Sequence, residues 1–251
     1  MLRPMKAHLF AAALLLLAAL APNARAEPLT RARAPVVVEL YSSQGCSQCP
    51  RANRLLGMLS REPGLIALTF PVGYWDYLGW VDTFAEPEFS SRQRDYSRAM
   101  HVRAPFTPQL IIDGLRQVSA ADWDEARAAL DEVQATPAAP GAPTLASQRV
   151  PHSTLLRVTI GAGVTTTPAN IWMMSYDPGP LTVLVRSGEN INRVVTHYNL
   201  VRRAWLMGAW NGEPATVNMQ HCVPQCAVLI QSADGGRVLA AAMTRRSDPR
   251  P

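Results

Sequence analysis

Two cysteines stand three residues apart, Cys46-Ser47-Gln48-Cys49. They follow an apolar run, Val36-Val37-Val38-Glu39-Leu40-Tyr41, and precede a stretch at 50–61 that reads as a helix with Pro50 in its first turn. Strand, turn, CxxC and helix is an arrangement suited to thiol redox chemistry. A helix N-terminus offers free N–H donors and a partial positive charge, and both stabilise a thiolate. Cys46 would lie at the exposed cap, and Cys49 deeper and within reach of it. A ring closed over so few residues constrains the unfolded chain little, so it adds little stability. Such a pair is expected to be reactive or metal-binding rather than a staple.

The elements around the pair alternate. Residues 36–41 and 65–72 read as strands on either side of the 50–61 helix. A mostly polar stretch, 86–101, carries Phe89, Tyr96 and Met100 along one helical face. Residues 109–112 form a short strand ending at Asp113-Gly114, and 115–118 pairs back on it as a hairpin. A helix over 120–135 has the apolar stripe Trp123, Ala126, Leu130 and Val133, with Ser119 and Asp122 read as a capping box. The order is βαβ, an inserted helical segment, then ββα.

Three prolines and a glycine crowd residues 136–143, which read as a linker between a unit at 34–135 and another at 144–246. The second unit has no strong helix. Strands are expected at 154–160, 169–176, 181–186, 194–207, 226–231 and 237–243, with turns such as Asn211-Gly212 between them. That spacing suggests an antiparallel, sandwich-like β-rich domain.

Thr107-Pro108 stands immediately before the 109–112 strand. With the βα-CxxC order, it resembles the thioredoxin fold family. The resemblance implies a cis Thr107–Pro108 bond beside the cysteines, with the Thr107 backbone open as a docking edge for an extended substrate. It implies Cys46 as the nucleophile and Cys49 as the resolving thiol. Glu39 falls near the place where thioredoxins keep a buried acid, one residue out of their spacing; a carboxylate facing an edge or turn is the alternative. The intervening Ser47-Gln48 contains neither the Pro nor the His of the strongly reducing and oxidising versions.

Seven of the seventeen aromatics lie from Phe70 to Phe89, around Tyr74-Trp75-Asp76-Tyr77-Leu78-Gly79-Trp80. Trp75, Tyr77 and Trp80 are candidates for a substrate groove beside the pair, or for packing of the insertion against the sheet. Asp76 and Asp82 could pair as carboxylates. Together with Gln44-Gly45-Cys46, Thr107-Pro108-Gln109 and Gly188-Glu189-Asn190, these residues look like a bacterial family of secreted thioredoxin-like proteins of unknown function. That likeness implies a thioredoxin-like α/β domain followed by a β-rich one, and no established substrate. Gly188-Glu189-Asn190 lacks the further glycines and lysine of a phosphate loop.

The second cysteine pair, Cys222 and Cys226, reads as a loop staple or as an electron relay to the first. With Met219 and His221 it could instead form a soft copper-binding cluster. All four cysteines around one zinc is a further reading. His101 and His197 read as ordinary polar positions.

Residues 1–26 have a basic start at Arg3 and Lys6, an apolar run from Leu9 to Leu20, and Ala24-Arg25-Ala26. They read as a cleaved secretory signal, the apolar run itself being too short to span a bilayer comfortably, with a membrane anchor as the alternative. Export places the chain in the periplasm or outside the cell, where disulfides persist. Without that segment the net charge falls from +5 to +2. Nucleic acid is not expected as a partner at that balance, nor is stable membrane insertion once the signal is removed. The expected function is an exported thiol–disulfide oxidoreductase that needs no cofactor. It would act on protein or small-thiol disulfides and be served by a separate redox partner. A copper-handling protein and a non-catalytic thioredoxin-like binding module are the alternatives.

Overall fold

The computed structural model describes residues 34–244. The expected signal at 1–26 lies outside the described residues. The first strand, β1 (Val36–Ser42), runs into α1 (Cys49–Leu59), β2 (Leu65–Pro71) and a 3₁₀ turn at Asp76–Leu78. Next come α2 (Pro87–Ala99), the hairpin β3 (Gln109–Ile112) and β4 (Arg116–Ser119), and α3 (Trp123–Ala135). The rest is β: β5 (Leu145–Arg149), β6 (Leu156–Ile160), β7 (Ala169–Asp177), β8 (Leu181–Leu184) and β9 (Val194–His197). It ends with β10 (Leu200–Trp210), β11 (Ala215–Met219), β12 (Gln225–Gln231) and β13 (Val238–Met243).

An eight-stranded mixed sheet takes strands from both sides of the 136–143 segment, in the order β13-β12-β7-β10-β2-β1-β3-β4. The β1–β2 pair is parallel and β1–β3 antiparallel. The expected boundary at 136–143 therefore does not separate two sheets. This segment runs back along the fold, where Pro137 O accepts from the Arg237 guanidinium at 2.7 Å. The sequence pattern shows strands but not their neighbours, so a shared sheet was not legible in it. Two smaller sheets, β11-β6-β5 and β8-β9, complete the β structure. The expected strand at 194–207 is in fact β9 and β10, broken at Asn199, whose φ is +44°. Strands β5 and β11 were not anticipated.

All seven residues of β1 are buried, as expected of a parallel strand covered on both faces. Val36, Val38 and Leu40 pack against Ala52, Leu55, Leu56 and Leu59 of α1 and against the apolar stripe of α3. Those α1 positions recur at three- and four-residue spacing, so one helical face meets the sheet. Asp122 caps α3 itself, its side chain accepting from the N–H groups of Asp124 and Glu125 at 3.0 and 3.1 Å. Ser119, expected in a capping box, closes β4 instead.

The opposite face of the sheet carries Val37, Tyr41, Phe70, Phe89 and Tyr96. Amid these sits a buried ion pair. Arg92 of α2 grips Glu39 of β1 with two N–H groups, at 2.7 and 2.8 Å. Tyr41 and Tyr96 donate their hydroxyls to the same carboxylate at 2.9 and 2.6 Å. The remaining Arg92 nitrogen reaches Gln231 of β12 at 3.0 Å. Every polar atom of the pair is satisfied, the condition under which a buried ion pair is tolerated.

Two stability predictions follow from this packing. Arg92→Met leaves the Glu39 carboxylate buried without its counter-charge and should cost about 3–5 kcal/mol in urea unfolding. A loss below about 1 kcal/mol would show that the pair does not hold the sheet face together. Gly57 lies in α1, where alanine ordinarily gains about 1 kcal/mol. Here an added Cβ would come within 2.6 Å of the Tyr198 ring. Gly57→Ala should therefore destabilise, by about 1–3 kcal/mol, and Tyr198→Ala should abolish that loss.

Candidate active site

The thiol pair sits where β1 ends and α1 begins. The turn between them is closed by Cys46 N–H donating to Ser43 O and Cys49 N–H donating to Cys46 O, each at 3.2 Å. Cys49 opens α1 and Pro50 follows in its first turn, where a missing N–H leaves no donor unmatched. Both thiols are free; Cys46, expected at an exposed cap, is only 3% exposed and Gln48 takes the N-cap position, while Cys49 is fully buried.

Their environments drive the two thiols apart. The Cys49 side chain hydrogen-bonds Cys46 and brings its pKa down from 9.0 to about 7, against the opposing effect of burial. The Thr107 hydroxyl and the N–H groups of Gln48 and Cys49 push in the same direction. Burial, and then the neighbouring Cys46, hold Cys49 well above the ordinary thiol range. Around neutral pH Cys46 is therefore the member of the pair that ionises, with its thiolate accepting from the Cys49 thiol. That division suits attack by the first sulfur and retention of a proton on the second.

Thr107 reaches Cys46 from the segment before β3, and the Thr107–Pro108 bond is cis. Trp75 donates its indole N–H to the Thr107 hydroxyl at 2.6 Å, which fixes that side chain beside the thiol. Trp80 donates to Gln44 Oε1 at 2.9 Å. Trp75 and Trp80 are thus tied into the walls of the thiol loop, while Tyr77 stacks on Trp75 and is 78% exposed. Tyr74 lies close enough to both thiols to feel their charge, and burial pushes its own pKa above the ordinary phenol value. Asp82 Oδ2 accepts from Gln44 N–H at 2.7 Å, and Asp76 Oδ1 from Asp82 N–H at 3.1 Å. Burial raises the Asp82 pKa from 3.8 to about 6. The two carboxylates order the loop rather than face each other as an acid–base pair.

Glu39 is not beside the thiols. Side chains alternate across a strand, so β1 turns Leu40 toward α1 and turns Glu39 to the far face, where Arg92 and the two tyrosines engage it. What lies behind Cys49 is a neutral chain. Ser42 hydrogen-bonds Cys49 and donates to Asn53 Oδ1 at 2.7 Å. Asn53 meets His197 Nδ1 at 3.4 Å. His197 is fully buried, and burial drops its pKa from 6.5 to about 4, so it is neutral at physiological pH. The expectation that His197 is an ordinary polar position does not hold. Asn53 had a legible signal: it is the residue four beyond Cys49 on α1, and so lies on the same helical face.

The second half of the chain also reaches the site. Asn190 is buried and donates Nδ2–H to Gln44 O at 2.9 Å and to Cys46 O at 2.8 Å. Glu189 Oε2 accepts from Ser47 N–H, inside the CxxC, at 3.0 Å. Sequence reasoning assigned neither residue a role, because the chain separates them from the cysteines by more than 140 residues.

Cys222 and Cys226 are joined as a disulfide with a Cα–Cα distance of 5.6 Å. Both are buried among Leu156, Met173, Met219 and Val228. Neither sulfur is free to ligate copper alongside Met219 and His221, and the four cysteines do not gather into one zinc site. Among the described residues, no group of three His, Cys, Asp or Glu is placed to hold a metal. No helix among them is long and apolar enough to cross a membrane.

The fold and site define a mixed α/β protein with an asymmetric thiol pair at a helix N-terminus, strapped by its own C-terminal half. The chain belongs to a family described as a protein of unknown function, DUF1223, which matches residues 37–231. A protein from Agrobacterium tumefaciens, known from an X-ray crystal structure, is similar over 87% of this chain and 98% of its own length. The two are 28% identical, with a TM-score of 0.71. No curated protein matches the chain.

The thiol environment sets a pH prediction. Alkylation of Cys46 by iodoacetamide should rise with pH and reach half its maximum near pH 7, because the depressed pKa leaves the thiolate populated above that value. Thr107→Val removes a donor to the thiolate and should move the midpoint up by roughly one pH unit. Cys49 should stay unmodified across this range. A Cys46 midpoint near that of a free cysteine would overturn the asymmetry.

Proposed function

We propose that this protein is an exported thiol–disulfide oxidoreductase built on a thioredoxin-like fold. The observation that carries the proposal is geometric: two free thiols, Cys46 and Cys49, stand hydrogen-bonded at the N-terminus of α1, with Cys49 fully buried, and their surroundings lower the Cys46 pKa and raise that of Cys49. The βα-CxxC order and the placement of Thr107 beside Cys46 support the fold reading. The composition of residues 1–26 supports export to the periplasm or beyond.

The chemistry needs no cofactor. The Cys46 thiolate attacks one sulfur of a substrate disulfide, an S–S bond forms to Cys46, and the other substrate sulfur leaves as a thiolate. Cys49 then loses its proton and attacks Cys46 Sγ. The Cys46–Cys49 bond forms, and the second substrate sulfur leaves and takes up a proton. Protein disulfides or small-thiol disulfides are the substrate class, and a second redox protein would reset the pair. Trp75, Trp80 and Tyr77 form the rim on which such a substrate would lie.

A redox titration in glutathione buffers, with thiol trapping and mass spectrometry, tests this reading. The Cys46–Cys49 pair should titrate between about −270 and −120 mV, the span of catalytic thioredoxin-like pairs. Cys46→Ser should abolish disulfide reduction while leaving the fold intact. A pair that stays oxidised below about −300 mV behaves as a structural disulfide. That result would favour the non-catalytic binding module, since the thiol pair would then have no turnover.

A further inference from the structure

Among the described residues, Glu189 brings an acidic side chain into the Cys46-Ser47-Gln48-Cys49 turn. Its carboxylate accepts from Ser47 N–H, the peptide group that follows Cys46. Asn190, the next residue, anchors the strap by donating to Gln44 O and Cys46 O. Upstream, Ser187 donates to Gly79 O at 2.5 Å. The carboxylate is therefore held at the α1 N-terminus by contacts on both sides of it, although its own side chain is exposed. An anion at that place opposes the charge that a Cys46 thiolate would carry.

We infer that Glu189 tunes the thiol pair toward its disulfide form, so that the C-terminal half of the chain sets the redox poise of the CxxC. The inference rests on the oxidoreductase reading. Glu189 acts through its charge and is a positioning residue, not a catalytic one. The other groups facing Cys46 are accounted for separately. Cys49 and Thr107 donate to it, and Tyr74 lies near it as a neutral phenol. Asp82 is engaged by Gln44 N–H, and the Arg193 guanidinium donates to Asn190 Oδ1 at 3.4 Å. Thr107, Tyr74 and Asp82 reach the site from the first half of the chain, so a change at Glu189 leaves their contacts in place. The equilibrium concerned is reduced protein plus oxidised glutathione giving the Cys46–Cys49 disulfide plus two reduced glutathiones. Loss of the carboxylate charge favours the thiolate, hence the reduced side.

Glu189→Gln keeps an acceptor for Ser47 N–H and removes only the charge. In the full secreted chain the variant should lower the Cys46 thiolate midpoint, followed by absorbance near 240 nm, by about 0.5 pH unit. At pH 8, above both midpoints, the equilibrium constant for oxidation by glutathione should fall about threefold, or about 14 mV toward a more oxidising pair. In 1 M NaCl, where the screening length drops to about 3 Å, both differences from wild type should shrink. Glu189→Ala should shift both quantities in the same direction. An unchanged or raised midpoint in Glu189→Gln overturns the inference, and so does a shift that 1 M NaCl leaves undiminished, which would mark a packing effect. If the wild-type pair itself does not equilibrate with glutathione, the oxidoreductase reading fails, an outcome distinct from these.

Discussion

Thr69 carries the joint on which the rest of the structure depends. Its N–H donates to Asn199 O at 2.9 Å and its hydroxyl to Tyr198 O at 2.8 Å, while Asn199 Nδ2–H donates to Ala67 O at 2.8 Å. These bonds seat Leu200 of β10 parallel to Thr69 of β2. The junction is short, and everything C-terminal to it is brought into register by it. Strands β7, β12 and β13 extend the sheet from β10. His197 and Tyr198 are pressed against α1, where Gly57 leaves room for the Tyr198 ring. A chain lacking this joint would still have two sets of strands, but no reason for residues 187–190 to lie over the cysteines.

The Glu39–Arg92 pair reinforces the same union from the opposite face. Arg92 binds β1 through Glu39 and β12 through Gln231, spanning strands from both halves. Its guanidinium also lies over the rings of Phe70, Tyr96 and Trp172. A buried charge of this kind adds little net stability compared with well-packed apolar groups. What it supplies is directionality, because only one register of β1, α2 and β12 satisfies all of its donors. The carboxylate that might have served the thiols is thereby committed to architecture, and a neutral chain of Ser42, Asn53 and His197 stands behind Cys49 instead.

The site is thus a composite of two parts of the chain. Local structure supplies the turn, the helix N-terminus and the burial of Cys49. The 73–82 loop supplies Trp75, Trp80 and Asp82, which hold Thr107 and Gln44 in place. The C-terminal half supplies Asn190 and Glu189. The division of the pair into a thiolate and a thiol is mostly local in origin. Its fine setting belongs to the long-range contacts.

Much of the first half was legible in the sequence because its signals are local. The CxxC, Pro50 in the first turn of α1, the apolar stripe of α3, and the β3–β4 hairpin at Asp113-Gly114 all follow from periodicity and turn chemistry. The strand Val36–Ser42 and its burial were readable for the same reason. Strand alternation puts Glu39 on the face away from α1; tertiary structure alone decided what meets it there, Arg92 of α2, 53 residues away. It alone decided that β10 lies beside β2, since strand pairing depends on which edges meet and not on composition. It brought Asn190 and Glu189 to the cysteines across more than 140 residues. A sequence lists donors and acceptors, but only the folded chain shows which of them meet.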